Sequence, residues 1–269
     1  MLIVAKAGGT VVKNGLPEIA KDSKEIVDGG SNLIFVHGGG AEVTIIAEKL
    51  GKKQSLVISP EGFRSRYTDM ETVEILNMVM SGKINKRVVS AFQSQGARSV
   101  GLSGVDGCLL KAKKKEKMIV VDERGRKRVL GAGFSGKICQ VNSELVKLLV
   151  ESGYVPVISP VAIGEEFELL NVDGDRAAAN IAGALKADGL IFLTDVNGVI
   201  LDGKLVREIK VSEIQKVLPK IGAGMSTKVH AALEALNMGV KEAIIASGLC
   251  KSPILSALQH ENGTVIVHG

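Results

Sequence analysis

A chain of 269 residues is long enough for one large α/β domain or two closely joined lobes around a full core. Aromatic residues are only 3% of it, too few for a base-stacking nucleic-acid module, whereas 32 glycines and an apolar fraction of 45% suit sheets packed on Ala- and Gly-rich helices. The net charge of +5 is modest, and three cysteines (Cys108, Cys139 and Cys250) without C-x-x-C spacing, beside four histidines in no ligand pattern with them, argue against structural zinc and a disulfide framework.

Leu2 to Thr10 reads LIVAKAGGT, a short apolar strand that runs into Lys6 and then Gly8 and Gly9. Leu2 to Val4 is far too short for a signal peptide or a membrane span, so a soluble cytoplasmic protein without a membrane partner is expected. A lysine ending a buried strand is costly to desolvate unless an anion accompanies it. Glycines without Cβ let a phosphate approach backbone N–H groups. A turn with a solvated lysine fits the same residues, and K-x-G-G alone does not decide between them.

Leu16, Ile19, Ala20, Ser23, Ile26 and Val27 then recur at helical spacing, closed by Gly29 and Gly30. Leu33 to Val36 is the next strand, and it delivers His37, Gly38, Gly39 and Gly40 onto a helix from about Ala41 to Leu50. Glycines between a strand and a helix N-terminus form either an anion site or a flexible turn. Gly62 to Asp69 reads GFRSRYTD, an irregular segment before a helix that Thr68 or Asp69 caps. In an extended loop Arg64 and Arg66 point the same way, suited to a carboxylate or simply to solvent.

Helical spacing returns through Thr72 to Met80 and around Val88 to Phe92, and Ser99 to Leu102 is a strand. The lysine run KAKKKEK from Lys111 to Lys117, then Met118 to Val121, a turn at Glu123, Arg124 and Gly125, and Val129-Leu130 suggest a projecting β-hairpin. Its charge is either a solvated face or a docking surface. Gly131 to Lys137, GAGFSGK, fits a P-loop only until Ile138 replaces the needed hydroxyl, and it lacks the acidic residue of a dinucleotide fingerprint. It reads as a loop leading to a helix from Ser143 to Glu151.

Tyr154 to Ser159 is a buried strand, followed by a hairpin through Glu165 to Leu170. Asn171 to Asp175, NVDGD, does not match a calcium loop, and a helix from Arg176 to Leu185 starts at once. Asp173 and Asp175 suit a helix N-terminus and the orientation of a polar site. Gly189 to Thr194 is a strand ending in Asp195, Val196, Asn197 and Gly198, with a hairpin turn at Asp202 and Gly203. Gly222 to Lys228, GAGMSTK, opens a helix whose apolar face is Val229, Ala232, Leu233 and Leu236. Lys228 in its first turn, against the macrodipole, suggests an anion beside it. A strand at Ala243 to Ala246, a helix after Ser252-Pro253 and a strand at Thr264 to Val267 complete the chain.

Strands alternating with helices predict an α/β fold, a three-layer αβα sandwich around a mainly parallel central sheet. Lysines, glycine N–H groups and aspartates at strand ends are the parts phosphoryl transfer needs. No Ser-His-Asp or Cys-His arrangement is legible.

In this order and spacing, KAGG from Lys6, HGGG from His37, RYT from Arg66, NVDGD from Asn171, TDVNG from Thr194 and GMSTK from Gly224 carry a resemblance. The chain resembles the amino acid kinase family over its whole length, and most nearly its N-acetylglutamate kinase branch, which phosphorylates a side-chain carboxylate with ATP. SRYTD from Ser65, GLSGVDG from Gly101 and FSGK from Phe134 are similar to the archaeal and bacterial members whose 2-aminoadipate or glutamate is linked through its amino group to a small acidic carrier protein, LysW. A kinase of free N-acetylglutamate is the alternative.

The resemblance implies ATP, with Mg²⁺ held mainly by the phosphates, and a chain that starts at its first strand implies a homodimer. It implies that Lys6 and Lys228 stabilise the transferring phosphoryl group and that Asp175 holds both. Gly39 and Gly40 serve the reacting carboxylate, while Arg66 and Asn171 bind the rest of the substrate. Gly8 and Gly9 lie at the phosphates, and Asp195, Val196, Asn197, Gly198, Ile221, Gly222 and Met225 line the nucleotide pocket. Residues 1–185 are expected as a substrate-binding lobe and 186–269 as a nucleotide-binding lobe of one continuous sheet.

Overall fold

A computed structural model describes residues 1–60, 62–122 and 124–269. Eight strands form the main sheet, in the order Glu208–Lys210, Thr264–Val267, Glu242–Ser247, Gly189–Thr194, Leu2–Ala7, Asn32–His37, Val155–Ser159 and Ser99–Ser103. Every neighbouring pair is parallel except Glu242–Ser247 with Thr264–Val267. Central strands such as LIVAKA and GLIFLT read as near-continuous apolar runs, interrupted in the first by Lys6, because helices cover both faces.

Strand alternation sorts the side chains between two cores. Val4, Val36, Ile158 and Phe192 pack on one face against the helices Ser143–Glu151, Gly174–Leu185 and Ala223–Asn237. Ile3, Ala5, Phe35 and Leu193 pack on the other against Leu16–Asp28, Gly40–Lys49, Asn85–Ser94 and Pro253–Leu258. The result is the expected three-layer αβα sandwich. Two residues beyond Val4, Lys6 falls on the face covered by Gly174–Leu185 and Ala223–Asn237.

Several local expectations change. Arg64–Arg66 is not irregular but a short strand paired with Leu56–Ile58. The helices expected around Thr72 and Val88 are one continuous run, Met70–Asn77 and Asn85–Ser94 joined by a π-helical segment, Met78–Ile84. The lysine run is divided: Leu110–Lys114 pairs with Gly136–Val141, while Lys117–Val121 pairs with Lys127–Gly131. Glu123, where the hairpin turn was expected to begin, lies outside the described residues. GAGFSGK is thus only partly a loop, since Gly136 and Lys137 open a strand that runs to Val141. No helix among the described residues is long and apolar enough to cross a membrane.

Candidate active site

Lys6 leaves the sheet face near its C-terminal edge, where the first turn of Gly174–Leu185 meets it. Asp173 caps that helix by accepting from Arg176 N at 2.9 Å, which leaves Asp175 free to point inward. Lys6 Nζ lies 2.7 Å from Asp175 Oδ1, and Lys228 Nζ donates to Asp175 Oδ2 at 3.1 Å. The three side chains are 9%, 16% and 6% exposed for Lys6, Lys228 and Asp175, so their charges act in a poorly screened setting.

Burial alone raises the Asp175 carboxyl pKa, but the two ammonium groups outweigh it and hold the group below its ordinary value. Burial likewise opposes the charge on Lys6, and the carboxylates of Asp175 and Asp173 overcome it, leaving its pKa above the ordinary lysine value. Two cations on one carboxylate leave a net positive centre that suits a polyanion. The position of Lys228 differs from the sequence expectation. Its helix begins at Ala223, so Lys228 stands in the second turn, and Asp175, 53 residues away in sequence, holds it there rather than the helix end.

Beside this cluster the two glycine turns touch. A Cβ on Gly9 would stand 3.2 Å from Gly39 Cα, and one on Gly38 would stand 3.3 Å from Gly9 N. Glycines let two helix entries lie this close without either having to give way. Gly8 N donates to Leu193 O at 3.3 Å and is spent on the fold. Among the described residues no protein acceptor meets the N–H groups of Gly9, Gly39 and Gly40. They remain available to an anion at the positive end of the helix Gly40–Lys49.

Arg66 is brought to the same place. Its Nη2 donates to Gly40 O at 2.7 Å and Thr44 Oγ1 at 2.8 Å, and its Nη1 donates to Gln54 Oε1. Arg64 is exposed in the same strand. Asn171 Nδ2 donates to Thr68 Oγ1 at 3.0 Å, and Thr68 Oγ1 donates to Arg66 O at 3.2 Å, so Asn171 and Arg66 share one scaffold. Thr68 is fully buried and does not cap the next helix; Asp69 takes that role, accepting from Thr72 N at 2.9 Å.

The remaining residues lie past the strand Gly189–Thr194. Asp195, Val196 and Asn197 are exposed, while Gly198 is buried with φ of 137°, where a Cβ would meet Thr264 Oγ1 at 2.7 Å. Gly198 therefore shapes the loop rather than facing outward. Gly222 caps the helix Ala223–Asn237, and Ile221 and Met225 are half-buried against the core. A separate groove of about 300 Å³, between Val12, Leu16, Pro17 and Ala20 on one side and Arg87 and Ala91 on the other, holds none of these residues.

Sequence reasoning passed over Asn85. It is wholly buried, and its Nδ2 reaches Val157 O at 2.8 Å, Leu102 O at 3.2 Å and His37 Nε2 at 3.3 Å. The one local signal was a polar amide three residues beyond the break in helical spacing at Ser81 and Gly82.

Residues 1–247 match the sequence profile of the Amino acid kinase family. A relative from Cenarchaeum symbiosum (strain A) is 52% identical over 268 residues, spanning the whole of both chains. One from Saccharolobus solfataricus, named [LysW]-aminoadipate/[LysW]-glutamate kinase, is 45% identical over 269 residues, again the whole of both. Among solved structures, N-acetylglutamate synthase from Neisseria gonorrhoeae superposes with a TM-score of 0.82 at 22% identity, over all of this chain and 59% of that one. Carbamate kinase from Giardia lamblia, bound to AMP-PNP, superposes at 0.71 and 19% identity, over all of this chain and 98% of that one, a likeness of fold. By the span of the profile match and the identity to full-length relatives, the chain belongs to the amino acid kinase family.

Proposed function

We propose that the chain transfers the terminal phosphoryl group of ATP to the side-chain carboxylate of 2-aminoadipate or glutamate, carried through its amino group on a small acidic LysW-type protein. A carboxylate oxygen forms the new O–P bond, the bond from the γ-phosphorus to the ADP oxygen breaks, and an acyl phosphate and ADP result. The observation that carries the reading is the buried triad, with Asp175 2.7 Å from Lys6 and 3.1 Å from Lys228. Phosphoryl transfer leaves little covalent work to the protein, and fixed cations around the equatorial oxygens are what it requires.

In this reading Lys6 and Lys228 meet the transferring group from two sides and Asp175 holds both in place. The N–H groups of Gly39 and Gly40 receive the reacting carboxylate. Arg66, with three of its five N–H donors already engaged, offers the remainder to the substrate, and Asn171 binds its amide. Gly9, with Gly8 shaping the turn, attends the phosphates. The rim of Asp195, Val196, Asn197, Gly222, Ile221 and Met225 receives the nucleotide over a loop set by Gly198.

Among the described residues no three His, Cys, Asp or Glu side chains converge, and Asp175 is already engaged by two lysines. That donor set suits Mg²⁺ arriving on the ATP phosphates, where it would neutralise their charge. Residues 1–185 act as the substrate lobe and 186–269 as the nucleotide lobe of a cytoplasmic homodimer. The product belongs to lysine biosynthesis, and to arginine biosynthesis where glutamate is the cargo.

The test compares ATP consumption with carrier-linked aminoadipate, carrier-linked glutamate and free N-acetylglutamate. Carrier-dependent turnover is expected. Equal turnover on the free acetylated amino acid would replace this reading with that of a free-substrate kinase.

A further inference from the structure

His37 is wholly buried at the end of the strand Asn32–His37, and both ring nitrogens have partners. Nε2 lies 3.3 Å from Asn85 Nδ2, and Nδ1 lies 3.3 Å from Gly38 O. The orientation of the Asn85 amide follows from its surroundings: the nitrogen faces the carbonyls of Val157 and Leu102, and Oδ1 accepts from Lys86 Nζ at 3.2 Å. An amide nitrogen only donates, and its two hydrogens already face three acceptors, so an Nε2–H pointed at it would set donor against donor; Nε2 is left unprotonated, and the imidazole proton sits on Nδ1, where it donates to Gly38 O.

That bond has a geometric consequence one atom further on. In a trans peptide the C=O and N–H point in opposite directions. A Gly38 carbonyl held toward the buried ring therefore turns the N–H of Gly39 away from it. The other side of the loop is closed by the π-helical segment: a Cβ on Gly39 would overlap Ile84 Cδ1 and stand 2.9 Å from Met80 Sδ. Asn85 follows that segment directly, so one stretch of chain both clamps the glycine and sets the ring.

We propose that His37 is a positioning residue for the transfer site: its Nδ1–H, set by Asn85, holds the Gly38 carbonyl so that the Gly39 N–H faces the reacting carboxylate. The inference rests on the reading of Gly39 as a carboxylate donor. His37 itself does no proton transfer. Burial lowers its pKa to about 4, and Lys6 from the neighbouring strand and Arg87 and Lys86 from the helix Asn85–Ser94 act in the same direction, against the Gly38 carbonyl. Protonation would also set an Nε2–H against the Asn85 amide donor.

Nitrogen-15 spectra of the imidazoles in the intact enzyme, with the His37→Asn variant identifying the resonance, report the tautomer. The Nδ1–H form is expected, unchanged from about pH 8 to about pH 5.5. An Nε2–H form, or a ring that titrates near its ordinary value, overturns the inference. In turnover assays His37→Leu lowers kcat about tenfold or more with KM for ATP unchanged, as loss of an aligned donor does. His37→Asn, whose amide nitrogen reaches the position of Nδ1, restores most of it. Equal kcat in the two variants overturns the inference, and if the leucine variant fails to fold the spectra still decide. Lys6→Ala and Arg66→Ala run alongside: normal turnover in both would bring down the reading of the site, and the inference with it, whatever the tautomer.

Discussion

Around Gly39 the backbone is held on every side, by buried His37 and Asn85, by Met80 and Ile84, and by Gly9 across the gap. Around Gly222 and Gly224 an added Cβ meets nothing within 4 Å, and Asp195, Val196 and Asn197 stand exposed. On the proposed reading the first region receives the reacting carboxylate and the second an exchangeable nucleotide. Donors aimed at developing charge work best when no reorganisation is left to the moment of reaction, whereas a ligand that enters and leaves each cycle needs room. Rigidity here follows the chemistry, not the glycine content, which is high in both.

The triad that joins the two regions should give the largest effect. Lys6→Ala and Lys228→Ala are each expected to lower kcat by about a hundredfold to a thousandfold while changing KM much less. Near-normal turnover in either variant would remove that lysine from the mechanism. Asp175→Asn should impair turnover too, since it releases both ammonium groups.

Next is the acid sensitivity of the clamped side. His37 has a folded-state pKa of about 4 against an ordinary 6.5, so between those values the unfolded chain binds a proton that the folded chain does not. Stability should therefore fall as the pH drops from 6.5 toward 4 and gain no further loss from this group below that, a change of roughly 3 kcal/mol at most. Asp175 acts in a separate window. Its folded pKa lies below the ordinary 3.8, so its contribution is present above that value and is lost as the pH falls through the depressed one. Denaturant melts at stepped pH should show the first slope in the parent and lose it in His37→Leu; an unchanged slope would detach the effect from His37.

The packing contrast can be tested directly. Gly39→Ala must displace Ile84 or Met80 and should cost about 1–3 kcal/mol, whereas Gly224→Ala, in the first turn of a helix with open space beside it, should be neutral or stabilising by up to about 1 kcal/mol. Equal shifts in melting temperature would break the comparison. At Arg66, lysine should fail to rescue the roughly tenfold rise in substrate KM caused by alanine, because a point charge cannot hold Gln54 Oε1 on one side and Gly40 O and Thr44 Oγ1 on the other as the planar fork does.

The smallest effect concerns the basic face. Arg126 and Arg128 are paired with Asp122, and Lys114 Nζ sits 4.2 Å from the centre of the Phe134 ring, which leaves Lys113 and Lys115 as the cleaner probes. Reversing both to glutamate should raise KM for a carrier-linked substrate severalfold with kcat unchanged, and added salt should shrink the difference, as rim charges screened over about 8 Å do. A salt-independent result would make this face a solvated one.

Local chemistry in the sequence already determines much of this protein. Alternation along LIVAK puts Lys6 on the face of Val4, glycine runs after strands mark helix entries where N–H groups stay open, and DGD at a helix start offers one aspartate to the cap and one to the interior. Motif order named the other candidate residues, and of these Lys6, Asp175 and Lys228 meet. What required the tertiary structure is whatever depends on residues distant along the chain. The second-turn position of Lys228, the strand Gly136–Val141 inside an apparent phosphate loop, and the pairing of Arg64–Arg66 with Leu56–Ile58 have weak local signals. The His37–Asn85 contact spans 48 residues, and no spacing rule links them. Sequence sets which backbone conformations and faces are allowed; which buried donor meets which acceptor is decided only when the sheet order brings the strand ends together and the polar groups left inside, such as His37 and Asn85, meet one another.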